Sequence, residues 1–312
     1  MRHAISKSIF AQFWRNLMLK KTESPSPQNQ APVPDLDPGR RSPLFDKQLG
    51  EGSIHSRYFR WDRDLAGYKH VFITDSRLKR HHLHDDKVKY AWMVESPEII
   101  AEKYAWVEQN AEYFKHIFTF RKSLLDIDPA KFKFVPGGSC WIKEKDWGIH
   151  EKSKLVSIIA SDKNLTSGHR LRLAIVQALG SQMDVYGRGI NYIPDKIAGL
   201  RDYRFSFAVE NTKEDYYFTE KLLDCFMTGT VPIYYGCPSI GQFFNLEGIL
   251  TIDNLAEAEA IRKDLSPELY QKMRPAILDN YARCLEQFLS YEDYLYLHYA
   301  EHLFGPGRPD GA

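Results

Sequence analysis

The sequence predicts an α/β protein of two domains with a tail ahead of them. Three observations carry this. The chain has 312 residues, which at roughly 100–200 residues per domain leaves room for two domains and a tail. Its apolar share of 43% and charged share of 27% are those of an ordinary globular protein. From residue 155 to 265, strand-length apolar runs alternate with helical periods, the pattern of right-handed crossovers over a parallel sheet.

Taken in order, the first fifty residues read as a tail (1–50). Ile5, Ile9, Phe13 and Leu17 recur every four residues among Arg2, Lys7, Arg15, Lys20 and Lys21. That spacing predicts a basic amphipathic helix over residues 1–21, suited to an anionic membrane surface or to docking on the protein itself. Six prolines then fall between Pro25 and Pro43, with polar residues in the gaps. Such a stretch buries too little apolar surface to offset its ordering entropy and reads as a disordered linker.

Residues 51–150 read as a first α/β domain. Val71–Thr74, Tyr90–Val94, His116–Phe120 and Phe132–Val135 are strand-like, and Pro97–Asn110 is helical. Residues 151–265 read as a second. Its predicted strands are Leu155–Ala160, Met183–Tyr186, Phe205–Val209, Val231–Tyr235 and Ile249–Ile252. Helices are expected at Arg170–Leu179, Thr219–Met227 and Ala256–Leu265. Residues 266–312 read as aromatic-rich helices closing the chain.

Composition excludes several classes. Forty-two basic residues face 41 acidic ones, so the net charge of +1 gives no argument for nucleic-acid binding. No run approaches the ~20 apolar residues of a membrane span. The four cysteines lack metal or redox spacing and read as reduced thiols of a cytoplasmic protein. His81, His82, His84, Asp85 and Asp86 sit too close in sequence to converge on one ion and read as a solvated loop. Asp35-Leu36-Asp37 and Asp126-Ile127-Asp128 mimic a metal-binding pair but fall in a linker and a turn, so the metal set is empty.

The densest chemistry lies between Tyr203 and Gly236. A strand ends at Glu210-Asn211, a polar loop follows, and a helix starts near Thr219 with Glu220 and Lys221 in its first turn. A cation there opposes the helix dipole. An anionic ligand held by Lys221 and the helix N-terminus would remove the conflict. The alternative is a Thr219- or Asp215-capped helix whose Lys221 points to water. Glu220 is placed to accept hydrogen bonds from sugar hydroxyls.

These residues resemble the α-1,3-fucosyltransferase family (glycosyltransferase family 10). The resemblance rests on Glu210-Asn211, then Tyr217-Phe218-Thr219-Glu220-Lys221, then Gly229–Gly236, continuing through Cys237-Pro238-Ser239-Ile240 and Phe243-Phe244-Asn245. It implies two Rossmann-like domains of the GT-B type and inverting transfer from GDP-fucose, or from another GDP-deoxysugar. It also implies that Asn211 and Tyr217 contact the donor, with Glu220 on the ribose and Lys221 on the diphosphate. An arginine on the diphosphate is implied as well, either Arg172 or Arg170. A guanidinium fork suits that anion.

Trp92-Met93-Val94-Glu95-Ser96-Pro97 resembles the family's strand-end segment whose acid is the general base, which makes Glu95 the candidate. Residue chemistry alone also allows Ser96 to cap a helix, Pro97 to open it and Glu98 to complement its dipole. No metal is required for such a mechanism, and Mg²⁺ or Mn²⁺ would be auxiliary. The acceptor expected is a glycan of the bacterial lipopolysaccharide kind, lipid-linked or free. The enzyme would then be cytoplasmic or peripheral on the inner membrane face. A non-catalytic nucleotide- or glycan-binding protein would keep Arg172 and Lys221 without needing Glu95.

Overall fold

The computed structural model describes residues 31–34, 57–62 and 69–304. The amphipathic segment 1–21 and Asp35-Leu36-Asp37 lie outside them. Inside the stretch read as a linker, β1 (Ala31–Pro34) pairs in parallel with β2 (Phe59–Asp62). Proline's fixed φ suits an extended chain, and its missing N–H confines it to a sheet edge, where composition alone had suggested disorder.

The first lobe is a parallel sheet of β3 (His70–Thr74), β4 (Val88–Trp92), β5 (His116–Thr119) and β6 (Phe132–Phe134), in that spatial order. Helix α1 (Pro97–Gln109) links β4 to β5, and its N-cap Ser96 accepts the Glu98 N–H at 3.3 Å. The short helix α2 (Lys122–Leu125) follows β5. Successive strand residues point to opposite faces. Val71, Ile73, Ala91, Met93 and Ile117 therefore meet Tyr104 and Val107 of α1 on one face.

The opposite face, with Phe72, Tyr90, Trp92 and Phe118, is covered by α7 (Tyr291–Phe304) through Tyr291, Leu295 and Leu303. A parallel sheet needs both faces covered. Each large apolar side chain buried there is worth about 1.5–3 kcal/mol. The last helix therefore returns to the first lobe.

The second lobe is also parallel: β7 (Lys154–Ile159), β8 (Asp184–Tyr186), β9 (Tyr203–Val209), β10 (Val231–Tyr235) and β11 (Leu250–Thr251), in the order β11-β10-β9-β7-β8. One face packs on α3 (Ser167–Leu179), α5 (Leu255–Asp264) and α6 (Pro267–Arg283) through Ile175, Leu179, Ala258, Met273 and Ile277. The other packs on α4 (Glu220–Met227), where Ala208 and Tyr234 meet Leu222, Leu223 and Phe226. Cys140 and Ile142 belong to this second core, so the lobe boundary falls before residue 150. All four cysteines are unpaired and buried.

The histidine cluster forms a 3₁₀ helix over Asp75–His84 and not a loop. The His81 ring stacks on Tyr113 at 4.1 Å, an anchor invisible to local sequence. Among the described residues no group of His, Cys, Asp or Glu side chains could hold a metal ion. Among them, too, no helix is long and apolar enough to cross a membrane.

Candidate active site

The chain leaves β7 in one direction to reach β8, and takes the opposite side of β7 for β9. Between β7 and β9 the sheet therefore has a topological switch point, and ligands of open α/β sheets sit beyond the carboxyl ends of strands there. Helix α3 starts at that edge, with Thr166 as N-cap. Gly168 donates its N–H to the Asn211 carbonyl at 3.0 Å. A Cβ on Gly168 would stand 1.8 Å from the Glu210 carbonyl oxygen, so only glycine lets the helix approach this closely.

One turn further along α3, Arg172 turns into the crevice. It is 6% exposed and donates to the Val209 carbonyl at 2.5 Å and to Asn211 Oδ1 at 3.3 Å. Burial lowers its pKa, while the nearby carboxylates of Glu210 and Glu220 favour the charged form. Arg170 is exposed, and its charge acts on Glu98 of the first lobe. Of the two arginines considered, Arg172 is the one bonded to the end of β9 and to Asn211.

Glu210 is fully buried at the end of β9. Its carboxylate accepts the Thr219 N–H at 2.7 Å and the Thr219 hydroxyl at 2.6 Å. Lys221 Nζ lies 3.5 Å from Glu210 and 3.2 Å from Glu220. Burial pushes the Glu210 carboxyl up and the Lys221 ammonium draws it back. The expected tension between a first-turn cation and the α4 dipole is therefore met by the chain's own carboxylates. The amide at Thr219, expected to face an anion, is occupied by Glu210.

Glu220 sits between two ammonium groups. Lys196 approaches its carboxylate to 3.5 Å and pairs with Asp224 at 2.9 Å. Asp224 is one turn beyond Glu220 on α4 and accepts the Trp141 N–H at 2.6 Å. The Lys196 ammonium also lies over the Trp141 ring, 4.0 Å from its centroid. Burial alone would raise the Glu220 pKa; Lys221 and Lys196 overcome it and bring it down to about 2.

The polar loop between Asn211 and Thr219 turns sharply at Tyr216, whose φ of 66° is a strained value for a bulky residue. Its N–H points at Cys237 Sγ (3.1 Å) and Ser239 Oγ (3.3 Å), which pin the turn. That turn drives Tyr217 across to the first lobe. Its ring lies 4.7 Å from that of Phe120 and is 2% exposed. A Cβ on Gly137 would come within 3.0 Å of it. Tyr217 thus joins the lobes, a role the local motif does not announce. Burial raises its pKa, and the charges of Glu210, Glu95 and Glu220 raise it further.

Glu95 follows β4, at the carboxyl edge of the first sheet. Its Oε1 accepts the Ser96 N–H at 2.8 Å, and its carbonyl accepts the Tyr104 hydroxyl at 3.0 Å. Buried Asp75 fixes the approach by accepting the Val94 N–H at 3.0 Å. The half-buried Glu95 carboxylate and the second-lobe carboxylates Glu210 and Glu220 all act electrostatically on Tyr217.

Residues 149–274 match the family model for glycosyltransferase family 10 (fucosyltransferase), C-terminal part. The chain is 33% identical over 107 residues to the alpha-(1,3)-fucosyltransferase FucT of Helicobacter pylori, covering 32% of this chain and 22% of that one. It is 34% identical over 99 residues to a fucosyltransferase-like protein of Arabidopsis thaliana, 30% of this chain and 19% of that one. These matches span about a fifth of the curated relatives. Over the whole fold, it superimposes on a crystal structure of alpha1,3-fucosyltransferase with GDP at a TM-score of 0.55 and 18% identity, covering 92% and 94% of the two chains. TarM aligns at 0.51 and 13% identity, over 76% of this chain and 55% of that one. The architecture is the two-lobed GT-B type.

The matched segment 149–274 contains Arg172, Asn211, Tyr217, Thr219, Glu220 and Lys221, which lie around the switch point. Glu95 lies outside it, in the first lobe. Sequence reasoning used Glu210 only as part of the strand-end motif and passed over Lys196 and Asp224. Asp224 had a signal, being four residues after Glu220 and so on the same helix face. Lys196 had none, since it arrives on a separate 3₁₀ turn.

Proposed function

We propose that this chain is an inverting glycosyltransferase that moves fucose from GDP-fucose to a hydroxyl of a glycan acceptor. The observation that carries this reading is the clustering of Arg172, Lys221 and Glu220 at the switch point within the segment that matches the family 10 model, with Glu95 at the end of a first-lobe strand near Tyr217. Arg172 and Lys221 hold the donor diphosphate, and Glu220, kept ionised by its two lysines, takes the ribose hydroxyls. The acceptor oxygen attacks the anomeric carbon from the face opposite the diphosphate. Glu95 takes the proton as the C–O bond forms, and GDP leaves with the bonding electron pair. Fixed positive charge then stands where negative charge grows on the leaving phosphate.

The acceptor we expect is a surface or lipid-linked glycan, reached by a cytoplasmic enzyme resting on the inner membrane face. The deciding experiment is calorimetry with GDP, GDP-fucose, GDP-mannose and UDP-glucose, followed by product analysis with GDP-fucose and an oligosaccharide panel. Tight binding of GDP compounds, fucose transfer, and loss of turnover in Glu95→Gln with unchanged GDP affinity are expected. Absence of GDP binding would overturn the reading, and unchanged turnover in Glu95→Gln would remove Glu95 from it.

A further inference from the structure

Glu98 stands in the first turn of α1, where its ordinary use would be to complement its own helix dipole. Its carboxylate instead crosses to the second lobe. Oε2 accepts the backbone N–H of Ser167 at 2.8 Å, while Oε1 accepts the hydroxyls of Ser167 and Thr212, each at 2.5 Å. Ser167 opens α3, the helix that carries Arg172. Thr212 directly follows Asn211. Three residues before Glu98 comes Glu95. One carboxylate therefore ties the segment bearing the proposed base to both arms of the switch point.

We propose that Glu98 is a positioning residue that sets the spacing of Glu95 against the donor-holding residues by latching the two lobes together. This rests on the function proposed above. Three hydrogen bonds to one anion make a directional tie, since charge-assisted bonds are roughly twice as strong as neutral ones. The donors are fixed as well. The Ser167 N–H is one of the orphan amides of a helix start, and Thr212 leaves a strand end whose neighbour already holds Arg172. Glu98 is exposed; partial desolvation raises its carboxyl, and these hydrogen bonds, together with the Arg170 charge, more than reverse that. Arg172, Lys221 and Glu220 all belong to one lobe, so the latch bears on turnover and leaves nucleotide affinity to them.

The test uses the full chain with Glu98→Ala, Glu98→Gln, Thr212→Val and the Glu98→Ala/Thr212→Val double variant. Spin labels on cysteines introduced at the exposed positions Glu102 and Lys263 report lobe spacing. The expected result is a longer, broader label distance in Glu98→Ala and a smaller change in Thr212→Val. The double variant should match Glu98→Ala alone, because the two residues share one interaction. GDP affinity by calorimetry should stay within about twofold, while GDP-fucose turnover falls by about tenfold or more, as misplacement of a reacting group by an ångström can cost 10²-fold. An unchanged distance distribution in Glu98→Ala with the fold intact by circular dichroism would overturn the latch. So would a loss of GDP affinity equal to the loss of turnover. Should the parent chain fail to bind GDP, the functional reading falls, and the label distances still decide the latch.

Discussion

The Glu210 carboxylate grips both the backbone N–H and the hydroxyl of Thr219, at 2.7 and 2.6 Å, from a fully buried position. It joins the end of β9 to the start of α4, and Lys221 hangs from the same junction. The donor-side geometry depends on this pair.

Glu210→Gln replaces one acceptor oxygen with an amide that donates, directed at the Thr219 hydroxyl and the Lys221 ammonium. A buried group left without its partner costs about 1–3 kcal/mol. The variant should lose that amount of stability in urea denaturation and bind GDP more weakly. Urea denaturation with calorimetry checks both, and parent-like values in each would show the pair to be dispensable.

Lys196→Met keeps the aliphatic stem against Trp141 and removes one of the two charges that lower the Glu220 pKa to about 2. The Glu220 pKa should rise. In the parent chain Glu220 stays ionised through mildly acidic conditions, so it adds no pH dependence to GDP binding there. In the variant, affinity should weaken toward about pH 4, where an ordinary carboxyl titrates. Lys196→Arg should restore the flat profile. Calorimetry across the range reads this directly, and coincident parent and Lys196→Met profiles would count against the assignment.

His169 is 4% exposed and bonded through Nδ1 to Thr166 Oγ1 at 2.9 Å. Burial, then the charges of Arg172, Lys163 and Lys221, push its pKa from 6.5 down to about 4. The unfolded chain takes up a proton near pH 6.5, and the folded chain resists until about pH 4. His169 therefore contributes stability that is complete above 6.5 and is lost progressively as pH falls to 4. Thermal melts over that interval should fall more steeply for the parent than for His169→Gln. Parallel slopes would exclude the effect.

Much of this protein was legible in its sequence, and where legibility failed the reason is physical. The strands from β3 to β10 and helices α1, α3 and α4 follow from apolar periodicity and from caps such as Ser96 and Thr219, because those signals act within one or two turns of the chain. Glu210-Asn211 and Thr219-Glu220-Lys221 marked the donor side for the same reason: strand end, loop and helix start are neighbours along the backbone. Folding decided what lies far apart in sequence. It sent α7 back to the open face of the first sheet, turned Arg172 inward and left Arg170 in solvent. It brought Lys196 to Glu220 and carried Glu98 across to Ser167 and Thr212. A local pattern fixes which face of an element is apolar and which group is charged. Which distant charge meets it depends on how the two lobes pack, and only the tertiary structure determines that.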